Sequence, residues 1–133
     1  MNLDNSIIFP KGKKVENNYF IGTAWLEMLS DDKVFNCQVY NVTFEPGARN
    51  NWHKHPGGQI LLITGGKGYY QEKGKSARLL EAGDVVNIPP NVKHWHGARA
   101  NSWFVHVGIT TNPNDGNAEW YEPVTDEEYK RLK

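Results

Sequence analysis

Two stretches decide how this chain folds: GARNNWHKHPGGQILLITGG at residues 47–66 and GDVVNIPPNVKHWHGA at residues 83–98. Each carries a His-x-His pair, His53 with His55 and His94 with His96, set among the turn residues Pro56-Gly57-Gly58, Gly65-Gly66, Gly83-Asp84 and Pro89-Pro90-Asn91. Side chains two apart on a strand share a face, so each pair projects its imidazoles together and turns Trp52, Lys54 and Trp95 away. For the two pairs to meet, their strands are expected to face each other across a barrel. Gln59 stands four positions beyond His55, just past a turn, and can swing its amide oxygen toward the same point. Three imidazoles, from His53, His55 and His94, together with that oxygen suit a divalent transition ion.

Outward from these motifs, strand-like runs alternate with turn signals from Tyr19 on, and no apolar pattern of helical period survives for three turns before the C-terminus. Strands are expected over Tyr19–Leu29, Phe35–Phe44, Arg49–His55, Gln59–Thr64 and Gly68–Glu72. Further strands are expected over Ala77–Glu81, Asp84–Ile88, His94–Ala98 and Trp103–Thr111. Thr125 followed by Glu128 reads as a capping box that opens a short helix. The aromatic content of 12%, with 13 Gly and 7 Pro in 133 residues, favours the same all-β architecture of short strands and turns. A single domain over residues 1–133 is expected at this length.

Composition also excludes several functions. Lys and Arg number 15 against 15 Asp and Glu, which leaves no basic excess to neutralise phosphates, so a nucleic-acid partner is not expected. Cys37 stands alone and cannot staple a small scaffold. The apolar run Ile7-Ile8-Phe9 stops at Pro10 and is followed by Lys11, Lys13 and Lys14, so neither a signal peptide nor a membrane span is expected, and the location inferred is the cytoplasm. The sequon Asn41-Val42-Thr43 lies in a strand-like run and carries no weight without a secretion signal. Gly74-Lys75-Ser76 lacks the earlier glycine that a phosphate-binding loop needs, since that glycine falls at position 68.

The spacing from Gly47 through His53-x-His55 and Gln59 to Gly66, followed by Gly83, Pro89 and His94, resembles the two signature motifs of the cupin superfamily, with a motif core over residues 47–98. That resemblance implies a single double-stranded β-helix, or jelly-roll, barrel with a short C-terminal helix. Gln59 stands where the superfamily usually has Glu, Asn91 where it has Gly, and Ala98 where it has Asn. Asn tolerates left-handed backbone, so the second departure is mild. The first is chemical: three neutral imidazoles and a neutral amide leave the double charge of an ion uncompensated, a stronger Lewis acid and a poorer redox centre.

A nearer resemblance runs from about Tyr19 to Tyr129. Residues 43–49 (TFEPGAR), 52–56 (WHKHP), 94–98 (HWHGA) and 124–129 (VTDEEY) look like the small single-domain bacterial cupins that include manganese-dependent (R)-hydroxynitrile lyases and relatives associated with carboxymuconolactone decarboxylases. The group implies a divalent metal on His53, His55, Gln59 and His94, with manganese first and iron, nickel, zinc or cobalt as alternatives. It also implies a homodimer or higher homo-oligomer and a small-molecule substrate. His106, with His96 as second choice, is the candidate general base, because imidazole titrates near working pH. Tyr40, Val42 and Thr110 match pocket-lining positions, and the size of Tyr40 narrows the pocket. The expected function is a carbon–carbon lyase acting on a small hydroxylated or carbonyl substrate, cyanohydrin cleavage being the example. The alternatives are a dioxygenase or decarboxylase, and a non-catalytic cupin that binds a small ligand or metal.

Overall fold

A computed structural model describes residues 8–132. Residues 1–7 of the Met1–Lys14 segment and Lys133, the two ends of the expected domain, lie outside the described residues. The first half of the chain forms β1 (Lys13–Lys14), β2 (Phe20–Ile21), β3 (Ala24–Ser30), β4 (Cys37–Phe44), β5 (Arg49–Asn50), β6 (His53–Lys54) and β7 (Gln59–Glu72). Then come β8 (Arg78–Glu81), β9 (Val85–Ile88), β10 (His94–Ala98), β11 (Phe104–Thr111), a single 3₁₀ turn, β12 (Glu119–Trp120) and the helix α1 (Asp126–Lys130). The pairings among them are antiparallel, in the order β1-β3-β4-β11-β7-β10-β5-β2, with β8 and β9 also on β7 and β6 bridging β10 to β12.

β7 holds this arrangement together. The sequence predicts two strands separated by a turn at Gly65-Gly66, whereas the structure runs one strand straight through. Its first half pairs with β11 and β9, and its second half with β10 and β8, so a single strand belongs to both sheets. The change of direction falls on Gly66, at φ 70°, where a Cβ would stand 1.8 Å from the carbonyl oxygen of Trp103. Opposite it the register against β11 slips between Val105 and His106. A strand can turn this sharply only where no side chain is in the way.

Other boundaries move for local reasons. The expected strand Tyr19–Leu29 divides into β2 and β3 at Gly22, whose φ is 78° and whose Cα packs on Ala48. Arg49–His55 also divides, because the chain bends at residues 51 and 52 between β5 and β6. The short strands β1 and β12 have no periodic signal and were not foreseen. Asn91, standing where the superfamily motif has Gly, does take the left-handed backbone, at φ 64°.

Two apolar clusters result. The barrel interior is filled by Tyr40, Val42, Phe44, Leu61, Ile63, Val86, Phe104 and their neighbours. The second cluster, Trp52, Tyr69, Trp95, Val124 and Tyr129, lies on the outer face beneath α1. Trp52 and Trp95, turned away from the imidazoles, pack on Val124 and Tyr129 and anchor the C-terminal segment. Both halves of the Thr125/Glu128 capping box are formed. The buried Arg49 guanidinium donates to the Val124 carbonyl and to Asp126, and sits 4.3 Å above the Tyr129 ring.

The Gly66→Ala substitution is expected to destabilise the fold by more than about 2 kcal/mol, combining the cost of left-handed backbone with a backbone collision. Urea unfolding of the two proteins measures it, and equal midpoints would contradict this account of β7.

Candidate metal centre

The bend at residues 51 and 52 sets the site's first feature. An unbroken strand would turn Asn50 outward with Trp52; with the bend, Arg49 and Trp52 face the outer cluster while Asn50 and His53 face inward. β6 then pairs with β10 so that His53 lies directly opposite His94. The two His-x-His pairs thus meet as cross-strand neighbours on adjacent strands. The expectation that they face each other across the barrel is corrected by this pairing, which needs only a normal antiparallel ladder. The His53 and His94 rings stand 4.2 Å apart between centroids, with His55 at 5.1 Å and 5.7 Å from them.

Backbone carbonyls choose the tautomers. His53 donates its Nδ1 proton to the Asn51 carbonyl at 2.8 Å, and His94 donates its own to the Val92 carbonyl at 2.9 Å. Each bond leaves the Nε2 lone pair free, the arrangement of a histidine held ready for a metal. Gln59 comes from the other sheet, at the start of β7, and donates its amide N–H to the Tyr40 hydroxyl, so its Oε1 is left over. Behind His53, the Trp120 ring is stacked at 4.5 Å, and Tyr19 stacks on the far side of Trp120 at 4.6 Å. No sequence signal marked Trp120, because β12 has no pattern of its own.

Two overlapping ligand sets can be drawn. Ring nitrogens of His53, His94 and His96 all lie within 4.8 Å of one another. His96, however, is already engaged: Asn50 Nδ2 lies 3.2–3.3 Å from both its ring nitrogens, and His106 Nε2 is 3.2 Å from its Nδ1. By contrast, His55 Nε2, Gln59 Oε1 and His94 Nε2 are buried with no hydrogen-bond partner. Buried polar atoms are rarely left unpaired, and three unpaired acceptors of this kind have the chemistry of a cation site. The donor set fits a divalent transition ion, with nitrogen ligands preferred over the oxygen-rich shells of calcium or magnesium.

Burial acts on all five imidazoles in the same direction. Desolvation pushes His53 and His96 well below 6.5, His55 and His94 down to about 4, and His106 down to about 3. The cluster is therefore neutral at pH 7, which is the protonation state that ligation requires. His106, on β11, stacks edge-on to His96 and leaves its Nδ1 without a partner.

A cavity of about 280 Å³ opens beside the cluster. Tyr40, Val42 and Thr110 line it, with His96, His106, Asn50, His53 and Gln59 at its polar end. Val15, Leu26, Met28, Phe44 and Trp120 form the apolar walls. Asn50, the partner of His96, was missed because only the bend at residues 51 and 52 brings it inside.

A family model described as Cupin domain matches residues 40–106, half of the chain and the part that carries every one of these histidines. The chain belongs to the cupin family. It is 45% identical over 91 residues to an (R)-mandelonitrile lyase of Granulicella tundricola, a match covering 68% of this chain and 70% of the relative. It also resembles the crystal structure of a cupin-like protein from Thermotoga maritima, at 56% identity and a TM-score of 0.92, covering 95% of this chain and 96% of the other. A conserved-barrel cupin from Rhodopseudomonas palustris, 17% identical with a TM-score of 0.72 over 87% of this chain and 78% of its own, shares the fold.

Depressed histidine pKa values tie stability to pH. Below about 6.5 the unfolded chain takes up protons that the folded chain refuses until near pH 4, so stability is complete above 6.5 and falls as the pH drops through this window. Each such histidine contributes a slope of up to about 1.4 kcal/mol per pH unit. The metal-free protein is expected to melt at steadily lower temperature from pH 6.5 to 4.5, and its histidines should give no slope between pH 7 and 8.5. Calorimetry in the presence of a chelator tests this.

Proposed function

We propose that this chain is a metal-dependent carbon–carbon lyase acting on a small hydroxylated or carbonyl substrate of the cyanohydrin type. One observation carries the reading: His55 Nε2, Gln59 Oε1 and His94 Nε2 are left buried and unpaired at the histidine cluster, beside a largely apolar cavity lined by the hydrogen-bonded pair His96 and His106. Its 45% identity over 91 residues to a mandelonitrile lyase supports the reaction class. His53, His55, Gln59 and His94 are the ligands in this reading, and manganese is the ion proposed. A bound divalent ion supplies Lewis-acid polarisation of a substrate oxygen.

The protein's own groups do the rest. Apolar walls exclude water and take the hydrocarbon part of the substrate, while Asn50, whose Oδ1 accepts from the His96 backbone N–H at 3.0 Å, holds that residue in place. His96 and His106 share one proton along their 3.2 Å contact, so the pair can accept a hydroxyl proton at His106 and return it to the leaving group. With burial holding His106 down to about 3, it is a weak base at rest and takes a proton only from a hydroxyl that is already acidified. Tyr40 intrudes on the cavity and favours small substrates over bulky aromatic ones.

We further propose a cytoplasmic homodimer with no nucleic-acid or membrane partner. No helix among the described residues is long and apolar enough to cross a membrane. Among those residues, β3 is bonded on its outer edge from Ala24 to Leu26, and its later residues leave a strand edge for a second copy. Light scattering at micromolar concentration should give twice the chain mass, and a monomer mass would count against this assembly.

Hydrogen cyanide release from a series of aliphatic and aromatic cyanohydrins, with the manganese-loaded protein, tests the reaction. His106→Ala should lower kcat by roughly 100-fold or more while metal content stays constant, and His96→Ala should cost less. Complete failure to cleave any cyanohydrin would overturn the lyase reading and favour a binding module. Gln59→Glu adds a negative charge beside the ion and is expected to slow cleavage at full metal occupancy; faster cleavage would point to dioxygenase chemistry, which oxygen consumption would register.

A further inference from the structure

A glutamine in place of the superfamily's usual carboxylate raises a problem that a carboxylate does not have. The two ends of an amide are nearly the same shape, one a donor and the other an acceptor, and only the acceptor end can face a cation. Something must select that orientation. Gln59 Nε2 donates to the Tyr40 hydroxyl at 2.6 Å, and the Tyr40 and Thr110 hydroxyls lie 2.7 Å apart. With Tyr40 Oη accepting from the amide, Thr110 Oγ1 is the acceptor within reach of the Tyr40 hydrogen. The chain of bonds thus runs outward from the metal region, from the amide to the Tyr40 hydroxyl and on to Thr110, and strands Gln59 Oε1 as a buried lone pair.

The ring that carries this hydroxyl is fixed as firmly as the hydroxyl. Tyr40 lies against Gly108 on the neighbouring strand, its register partner, and a Cβ at position 108 would stand 2.3 Å from Tyr40 Cε2. Three residues on two strands, Tyr40, Gly108 and Thr110, therefore set one amide.

We propose that Tyr40 is a positioning residue that locks the Gln59 amide with its oxygen toward the histidine cluster, and so tunes the affinity of the site for a divalent metal. This rests on the metal-ligand reading above. A rotated amide would present N–H hydrogens to the ion and lose one ligand, and partners that orient a ligand typically carry a 10–100-fold effect on metal affinity.

The decisive variants are Tyr40→Phe, Gln59→Glu and the two combined, with manganese(II) dissociation constants measured by calorimetric titration. Tyr40→Phe removes the acceptor for the amide N–H and should weaken binding at least 10-fold. In the Gln59→Glu background the same change should have little effect, because a carboxylate has two equivalent oxygens and needs no orienting acceptor. Equal loss in both backgrounds would make Tyr40 a packing residue and overturn the proposal, as would unchanged affinity in Tyr40→Phe, which would leave the metal reading intact. If the wild-type chain itself binds no manganese(II), the metal reading falls and takes the proposal with it. Thr110→Val keeps the ring and frees the Tyr40 hydrogen to turn toward Gln59 Oε1, so it should also weaken binding; it decides the matter if Tyr40→Phe fails to give a cooperative thermal transition, and unchanged affinity in Thr110→Val would then overturn the proposal.

Discussion

A strand that belongs to two sheets has to bend where it leaves one for the other, and in this protein that bend rests on the missing side chain of Gly66. Before it, β7 carries Gln59 in the sheet of β4 and β11, the strands that hold Tyr40, Thr110 and His106. Beyond it, β7 sets the register of β10, and with it His94 and His96. The site is assembled from both sheets, so its dimensions follow from how sharply one strand turns. Had the two segments of β7 been separate strands joined by a loop, the distance between Gln59 and His94 would depend on that loop's length and conformation.

Within this frame the dominant energetic feature is desolvation. Four imidazoles are buried in the barrel and His55 is half-buried beside them, and none has a carboxylate hydrogen-bonded to it; among the described residues the partners of the buried four are backbone carbonyls, Asn50 and one another. Such a cluster can be buried only if it is uncharged, which is why every one of these groups is displaced toward the neutral form. The same condition prepares it for a cation, since a neutral imidazole offers a lone pair and a protonated one does not. The cost of leaving His55 Nε2, Gln59 Oε1 and His94 Nε2 unpaired is the counterpart of a binding site, and a ligand that accepts their lone pairs removes it.

Gln59 connects the electrostatic problem to the pocket. A carboxylate at that position would neutralise part of an ion's charge and would be symmetric about its axis; the amide does neither. It leaves the ion's charge to act on a bound oxygen, and it makes the orientation of a ligand depend on a tyrosine that also shapes the substrate cavity. Ligand geometry and substrate size are consequently coupled through Tyr40, which no single-residue account of either would reveal.

Much of this was legible in the residues themselves. The period of two in His53-x-His55 and His94-x-His96, with turn residues on either side, identified the strands and the face on which the imidazoles lie, and Thr125 with Glu128 identified the helix, because these are local rules that depend on neighbours along the chain. The family resemblance added the barrel. What tertiary structure alone decided is how the pieces meet: that His53 and His94 are ladder partners instead of facing across a barrel, that Asn50 turns inward while Arg49 turns out, that Trp120 stacks on His53, and that Tyr40 holds the Gln59 amide. Each of these is set by strand register or by a bend between residues distant in sequence, and no local periodicity encodes which strand will lie beside which.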